Sequence, residues 1–166
     1  MDTSRISIKL FANETSAKLE DFVPVFHSWI QTRAIPDHLL IDVANYAHVH
    51  NGPGIVLVSR EANYSLDTRG GRLGLTYQRK QPISGTFAER LRVAYQAAQH
   101  AASLLKDKLT FRNDEIELRI CDRLNAPNSN ETFEAVKPDV LKVWPGAQLD
   151  RRTSDLELLT ATVRPV

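Results

Sequence analysis

Alternating apolar and polar positions predict several strands. In Arg5–Phe11 the apolar residues occupy every second position, which is typical of a strand with one face on the core. Ile55–Val58 is an unbroken apolar run, which indicates a strand buried on both faces in the middle of a sheet. Asn63–Asp67, the turn Thr68–Gly71 and the alternating segment Leu73–Tyr77 together predict a β-hairpin.

Apolar residues that recur at three- and four-residue intervals predict helices. Pro36–Ala47 starts with a proline, which suits the first helical position, and carries one apolar stripe. The turn Asn51–Gly54 must follow it, because glycine and proline disfavour helix there. A longer helix over 86–106 begins with Thr86 three positions before Glu89, the spacing of a capping box.

A third helix is expected near the C-terminus. Asn130 is placed to cap it, Pro138 to kink it, and Pro145-Gly146 to end it. The final segments, Ala147–Arg151 and Leu156–Arg164, are interpreted as a pair of strands around a turn at 153–155.

Two segments allow different interpretations. The apolar spacing of Leu19–Ile30 fits a helix, but a proline in a helix interior costs about 3 kcal/mol. We therefore predict a short helical turn to Phe22 and a strand over Val25–Gln31. Further along, Leu109–Arg112 and Glu115–Asp122 are predicted to form a hairpin around Asn113-Asp114.

These elements predict an α+β fold with a mixed, mainly antiparallel sheet and about three helices. Residues 1–166 are expected to form a single domain, since the length suits one core. A duplicated ββαββ unit is an alternative, with a pseudo-repeat over 5–80 and 108–164 joined by helix 86–106. A single sheet with helices on one face accounts for the same elements without duplication.

Composition narrows the class of protein. The formal net charge is +1, which gives no whole-surface attraction to nucleic acid or to an anionic membrane. The single cysteine, Cys121, excludes an intramolecular disulfide and fits a reducing compartment. No apolar run reaches the ~18 residues of a membrane span, and the N-terminus lacks signal-peptide features. We therefore expect a soluble, cytoplasmic protein without a membrane partner.

Candidate binding residues cluster in two turns. Polar side chains at the ends of apolar elements often form pockets, so we predict a ligand pocket where the turn His48–Asn51 meets the turn Asp122–Asn125. His48 and His50 alone do not make a metal site, and no metal or cofactor is predicted. The candidate site residues are Tyr46, His48, His50, Asn51, Arg79, Asp122 and Arg123.

Three other features have both a functional and a structural interpretation. The turn Asn51–Gly54 has the glycines of a phosphate loop, but it precedes a strand rather than a helix N-terminus, which favours a structural turn. The basic residues between Arg60 and Lys80 fit a small nucleic-acid contact, but charge at hairpin edges more often prevents aggregation. Cys121 has Arg119 and Arg123 nearby, which favours the thiolate, although lone cysteines are usually inert.

Several motifs resemble those of a group of uncharacterised bacterial proteins. They are Ile41–Val49, Gly52-Pro53-Gly54, Gly74-Leu75 with Tyr77 and Arg79-Lys80, and Asp122–Asn128 before Glu131-Thr132-Phe133. The resemblance implies a cytoplasmic bacterial domain and no particular activity. With no catalytic set recognised, we expect a non-catalytic binding or assembly module that associates with itself as a homodimer or with a partner protein in a larger complex. The alternative is a small-molecule-binding protein or enzyme that uses the predicted pocket.

Overall fold

The computed structural model describes residues 1–154 and 157–166 of the chain. Asp155 and Leu156, which belong to the predicted last turn and strand, lie outside the described residues. The helices are α1 (Val23–Thr32), α2 (Phe87–Leu104) and α3 (Asn130–Val143). The strands are β1 (Ile6–Ala12), β2 (Leu40–Tyr46), β3 (Gly54–Ser59), β4 (Ala62–Asp67), β5 (Gly74–Arg79), β6 (Phe111–Ile120), β7 (Gln148–Arg151) and β8 (Leu159–Arg164).

All eight of these strands belong to one sheet, in the order β2-β3-β4-β5-β1-β6-β8-β7. Every pairing among them is antiparallel. Strands β1 and β6 form the centre, where Ile8 lies opposite Leu118 and Lys9 lies opposite Glu117. The predicted α+β class, with three helices and a mainly antiparallel sheet, is confirmed.

The two faces of the sheet are chemically different. One face packs against the helices and forms the core, to which β1 contributes Ile6, Ile8 and Leu10. Because side chains alternate along a strand, Ser7 and Lys9 project from the opposite face. We call that face the polar face, and it carries the candidate site. None of the helices in the described ranges is both long and apolar enough to cross a bilayer.

Several local predictions are confirmed. Strand β3 lies inside the sheet, with Ile55 and Leu57 fully buried on one face and Val56 buried on the other, where Val58 is partly exposed. The hairpin β4–β5 forms around the predicted turn at 68–71. Helix α2 begins with the predicted capping box, in which the Thr86 hydroxyl accepts from the Glu89 N–H and the Glu89 carboxylate accepts from the Thr86 N–H.

The predicted helix over Pro36–Ala47 is wrong, because this segment contains strand β2. Its apolar spacing fits a helix by chance, since β2 is an edge strand that shows only part of its surface to the core. The turn at 50–53 brings it back onto β3, where Val43 lies opposite Leu57 and Tyr46 opposite Gly54. Antiparallel pairing with a buried neighbour outweighed the local helical pattern.

The predicted strand over Val25–Gln31 is also wrong, because Val23–Thr32 forms helix α1. Pro24 lies in the first turn of α1, where its missing N–H would have had no intrahelical partner. The expected cost of an interior proline therefore does not arise. The helix ends at Thr32, and its C-cap residue Arg33 adopts a left-handed conformation with φ of 51°.

Two predictions near the C-terminal half need correction. The expected hairpin around Asn113-Asp114 is instead the continuous strand β6, and Arg112 and Asp114 bond to each other along it at 2.7 Å. The N-cap of α3 is Ser129 rather than Asn130, because the Ser129 hydroxyl accepts from the Thr132 N–H. Pro138 lies inside α3 as expected.

The order of elements does not repeat as ββαββ. The elements before α2 run β-α-β-β-β-β, and those after it run β-α-β-β. The misread segments Val25–Gln31, Pro36–Ala47 and Leu109–Arg112 produced the predicted symmetry. A common origin of the two halves stays a prediction.

Candidate functional site

A cavity of about 440 Å³ opens on the polar face of the sheet. Its volume lies within the ~300–1,000 Å³ typical of small-molecule sites. Among the described residues, six cationic side chains and two carboxylates line it. The lining residues, which we call the cationic cavity, are Lys9, Phe11, Asn51, Arg69, Gly70, Arg72, Glu117, Arg119, Arg123, Arg152, Glu157, Leu158 and Thr160.

The floor of the cationic cavity depends on a lysine that spans three strands. Lys9 starts on β1, and its ammonium reaches Asp67 at the end of β4, two strands away. The intervening strand β5 has Gly74 at the crossing point, where a Cβ would lie 2.6 Å from Lys9 Cε and 2.6 Å from the Leu10 carbonyl oxygen. The glycine therefore provides the space through which the lysine stem passes.

The Asp67 carboxylate is fully buried, and both of its oxygen atoms accept hydrogen bonds. Its Oδ1 accepts from Lys9 Nζ at 2.7 Å and from Arg69 through the backbone N–H at 3.0 Å and Nε at 3.3 Å. Its Oδ2 accepts from the Thr76 hydroxyl at 2.7 Å. Burial alone would raise the pKa of Asp67, but the charges of Lys9 and Arg69 and these bonds hold the pKa below its usual value. We call Asp67, Lys9 and Arg69 the Asp67 cluster.

A second carboxylate, Glu117 on β6, is shared by two arginines. Arg119 donates to Oε1 at 2.9 Å, and Arg152, which follows β7, donates to Oε2 at 2.6 Å. The side chain of Glu117 is 8% exposed, whereas those of Arg119 and Arg152 are 20% and 42% exposed. We call these three residues the Glu117 cluster. The carboxylate lies beneath the two guanidinium groups.

Arg72 lies between the β4–β5 turn and β6. Its guanidinium donates to Glu115 at 2.6 Å, and its Cζ lies 3.6 Å from the centre of the Phe11 ring. A guanidinium over an aromatic face is favourable. Phe11 is only 3% exposed and is covered in this way, so its ring does not offer a stacking surface to a ligand.

Among the described residues, the charges around the cavity do not cancel, even when the Glu157 carboxylate, which is opposite in charge to Arg123, is included. In each of the two clusters, two cations share one carboxylate, so each cluster carries one positive charge in excess. Arg72 is balanced by Glu115. A half-enclosed site with convergent guanidinium groups favours carboxylate or phosphate oxygens, which match the fork of N–H donors.

The structure brings only part of the predicted pocket together. Asn51 and Arg123 both line the cationic cavity. The two turns that contain them nevertheless lie at opposite ends of the strands. Asp122 faces a different depression near the N-terminus. Arg79 bonds to the Gln81 carbonyl, and Tyr46 is exposed at the end of β2. The seven predicted residues therefore do not form one site.

The remaining predicted residues have local partners. Asp122 accepts from the backbone N–H of Asn125 at 3.2 Å and from its side-chain amide at 2.9 Å, and these bonds lower the pKa of Asp122. It therefore caps the turn after β6. His48 and His50 are exposed, and no group of three or more potential metal ligands occurs among the described residues.

The thiol of Cys121 is not activated in the way that the nearby arginines suggest from the sequence. Burial raises the pKa of Cys121, and this effect outweighs the opposing charges of Arg119, Arg69 and Arg5. The thiol form therefore predominates near neutral pH, which favours the inert interpretation.

The sequence interpretation missed the residues that form the floor of the cavity. Lys9, Asp67 and Glu117 are charged residues within strands, and each occupies the polar alternate of an apolar strand pattern. The sequence signal that could have identified them is a charged side chain at a polar position of a strand that is otherwise apolar. Their pairing depends on the order of β4, β5, β1 and β6 in the sheet, which local sequence patterns do not show.

A histidine on the core side of the sheet predicts a pH-dependent stability. His38 Nε2 contacts the Tyr64 hydroxyl at 3.4 Å, and burial lowers the pKa of His38 from 6.5. Below pH 6.5 the unfolded chain therefore binds more protons than the folded one, and stability falls as the pH decreases. We expect the free energy of unfolding to decrease less between pH 7.5 and 5 in His38→Gln than in the wild type, measured by urea denaturation. Equal decreases in both proteins would refute this role.

Comparison of the chain with protein-family models, with curated proteins and with solved structures finds no match in any of the three. The resemblance to bacterial proteins therefore stays a prediction.

Proposed function

We propose that the protein is a non-catalytic binding module that holds a small anionic molecule in the cationic cavity. The observation that supports this most strongly is the sharing of one carboxylate by two cations in both the Asp67 cluster and the Glu117 cluster. An anion there would neutralise the positive charge that exceeds the carboxylates of the described residues. This keeps the predicted class of a small-molecule pocket but moves it away from His48 and Asp122. We further propose a bacterial, cytoplasmic setting, as the single cysteine and the motif resemblance predict.

Anion binding can be tested without unfolding the site. Arg69→Gln leaves Asp67 paired with Lys9, and Arg152→Gln leaves Glu117 paired with Arg119, so both variants should fold. A lost charge-assisted bond is worth ~1.5–3 kcal/mol, so each variant should bind citrate about tenfold more weakly or worse. Isothermal titration calorimetry at fixed ionic strength would measure this.

The matched control is Arg92→Gln on the exposed surface of α2, on the other face of the sheet. It removes the same charge and should leave citrate affinity unchanged. An equal loss in all three variants would indicate general charge attraction. No binding of citrate, phosphate or sulfate to the wild type would contradict the proposed function.

We also propose self-association as a second function, which one surface feature favours. Leu39, Ile41, Tyr46 and Val49 are between 43% and 57% exposed, and all lie on or beside the edge strand β2. At this edge the backbone N–H groups of Val43 and Ala47 donate to the side chains of Asp42 and Asn45. A second copy would therefore bind by apolar side-chain contact at this edge rather than by extending the sheet.

Light scattering coupled to size-exclusion chromatography tests self-association. Ile41→Lys should convert a concentration-dependent dimer to a monomer, because it places a charge in the apolar contact. Leu124→Lys is the control, since Leu124 is 95% exposed in the loop before α3. A wild-type protein that remains monomeric at high concentration would refute the proposal.

A further inference from the structure

The two clusters of the cationic cavity are adjacent but separate. Lys9 of the Asp67 cluster lies directly opposite Glu117 in the pairing of β1 with β6. Directly opposed residues have Cβ atoms about 4.5–5.5 Å apart. From this central pair, the arginines diverge, because Arg69 belongs to the β4–β5 turn and Arg152 follows β7 at the far side of the sheet.

Each cluster retains donors for a ligand. A guanidinium has five N–H donors. The Arg69 side chain bonds to Asp67 through Nε, and the Arg152 side chain bonds to Glu117 through Nη2. Both side chains line the cavity and are partly exposed, at 30% and 42%. No further side-chain hydrogen bond of either arginine occurs among the described residues, so the remaining N–H groups can serve a ligand at the two ends of one opening.

The buried carboxylates of Asp67 and Glu117 hold the Arg69 end and the Arg152 end of the cavity apart. Asp67 is held by Lys9 and Thr76, and Glu117 is held between Arg119 and Arg152. Asp67 lies on β4 and Glu117 on β6, and β5 and β1 lie between these two strands, so the two carboxylates are held over different parts of the sheet. One small anionic group placed at one cluster leaves the arginine at the far end of the other cluster without a ligand contact.

We infer that the ligand carries two anionic groups joined by a short linker, one for the Arg69 end and one for the Arg152 end of the cationic cavity. This inference rests on the proposed anion binding and adds the class of ligand. The shared chemistry is that of bisphosphorylated or dicarboxylated small molecules, in which each end matches one guanidinium-rich cluster.

A ligand series of increasing length tests the inference. The probes are methylphosphonate, with one anionic group, and α,ω-alkane bisphosphonates with linkers of one to six carbons. Binding of the second group is intramolecular, which raises avidity by ~100-fold or more when the linker spans the sites. Isothermal titration calorimetry should therefore show one linker length that binds at least about 100-fold more tightly than methylphosphonate.

Two arginine variants test whether the two anionic groups of the ligand bind at the Arg69 and Arg152 ends of the cavity. In Arg69→Gln and in Arg152→Gln, the advantage of the best bisphosphonate over methylphosphonate should shrink to a few-fold, whereas Arg92→Gln should retain it. Equal affinity of mono- and bisphosphonates for the wild type would overturn the two-group inference while leaving anion binding intact. Failure of every probe to bind would overturn the proposed function as well. Tighter binding of a single-stranded oligonucleotide than of any bisphosphonate would overturn the small-molecule class.

Discussion

Gly54→Ala is expected to lower the free energy of unfolding by about 3 kcal/mol or more, from the left-handed backbone and the overpacking together. Gly54 has φ of 70°, and a Cβ there would lie 1.9 Å from the carbonyl oxygen of Leu66. The obstacle is backbone of the neighbouring strand β4, so β3 and β4 would have to separate. Urea denaturation followed by circular dichroism would measure the loss.

Gly71→Ala separates the two causes. Gly71 has φ of 73°, but a Cβ there would meet no described atom within 4 Å. Only the left-handed conformation is then penalised, by about 1–2 kcal/mol. If both alanine variants lost the same stability, close packing of β3 against β4 at this point would be refuted.

Lys9→Met is expected to destabilise the protein by about 3 kcal/mol, the lower end of the range for breaking a buried ion pair. Methionine keeps the apolar stem over Gly74 but leaves the buried Asp67 carboxylate without its closest cation. Arg69 and Thr76 still bond to Asp67, which is why the upper end of the range is not expected. Chemical denaturation at pH 7 would measure the change.

A surface pair provides the comparison. Lys142 and Asp139 on α3 are also 2.7 Å apart, but the Lys142 side chain is 64% exposed, whereas that of Lys9 is 3% exposed. Exposed pairs contribute ~0–1 kcal/mol, so Lys142→Met should have little effect. Adding Asp67→Asn to Lys9→Met should recover part of the loss, because the buried charge is then removed. Similar effects of both lysine variants would contradict a buried pair.

The sequence predicted elements whose signals are local. The apolar run Ile55–Val58 and the capping box of Thr86 with Glu89 depend on neighbouring residues, and both predictions were confirmed. Pro36–Ala47 was misread because an edge strand shows the core an incomplete pattern. Pro24 was misread because its effect depends on its position within a helix.

The candidate site was harder to predict because it depends on strand order. Asn51 and Arg123 were predicted and do line the cationic cavity. Lys9 and Asp67 are 58 positions apart, and Arg152 and Glu117 are 35 positions apart, so their pairing is invisible locally. Gly74 is informative only once the path of the Lys9 side chain is known. The charged pairs that form the floor of the cationic cavity can therefore be identified only from the three-dimensional structure.

The central claim is that anions bind among the arginines of the polar face. The most direct measurement is a titration of ¹⁵N-labelled protein with methylphosphonate, followed through the arginine Nε–Hε signals. We predict saturable shifts for Arg69, Arg119 and Arg152, with little change for Arg112 and Arg164, which are paired with carboxylates outside the cavity. Shifts of similar size at all arginines, or shifts that do not saturate, would contradict a site in the cationic cavity.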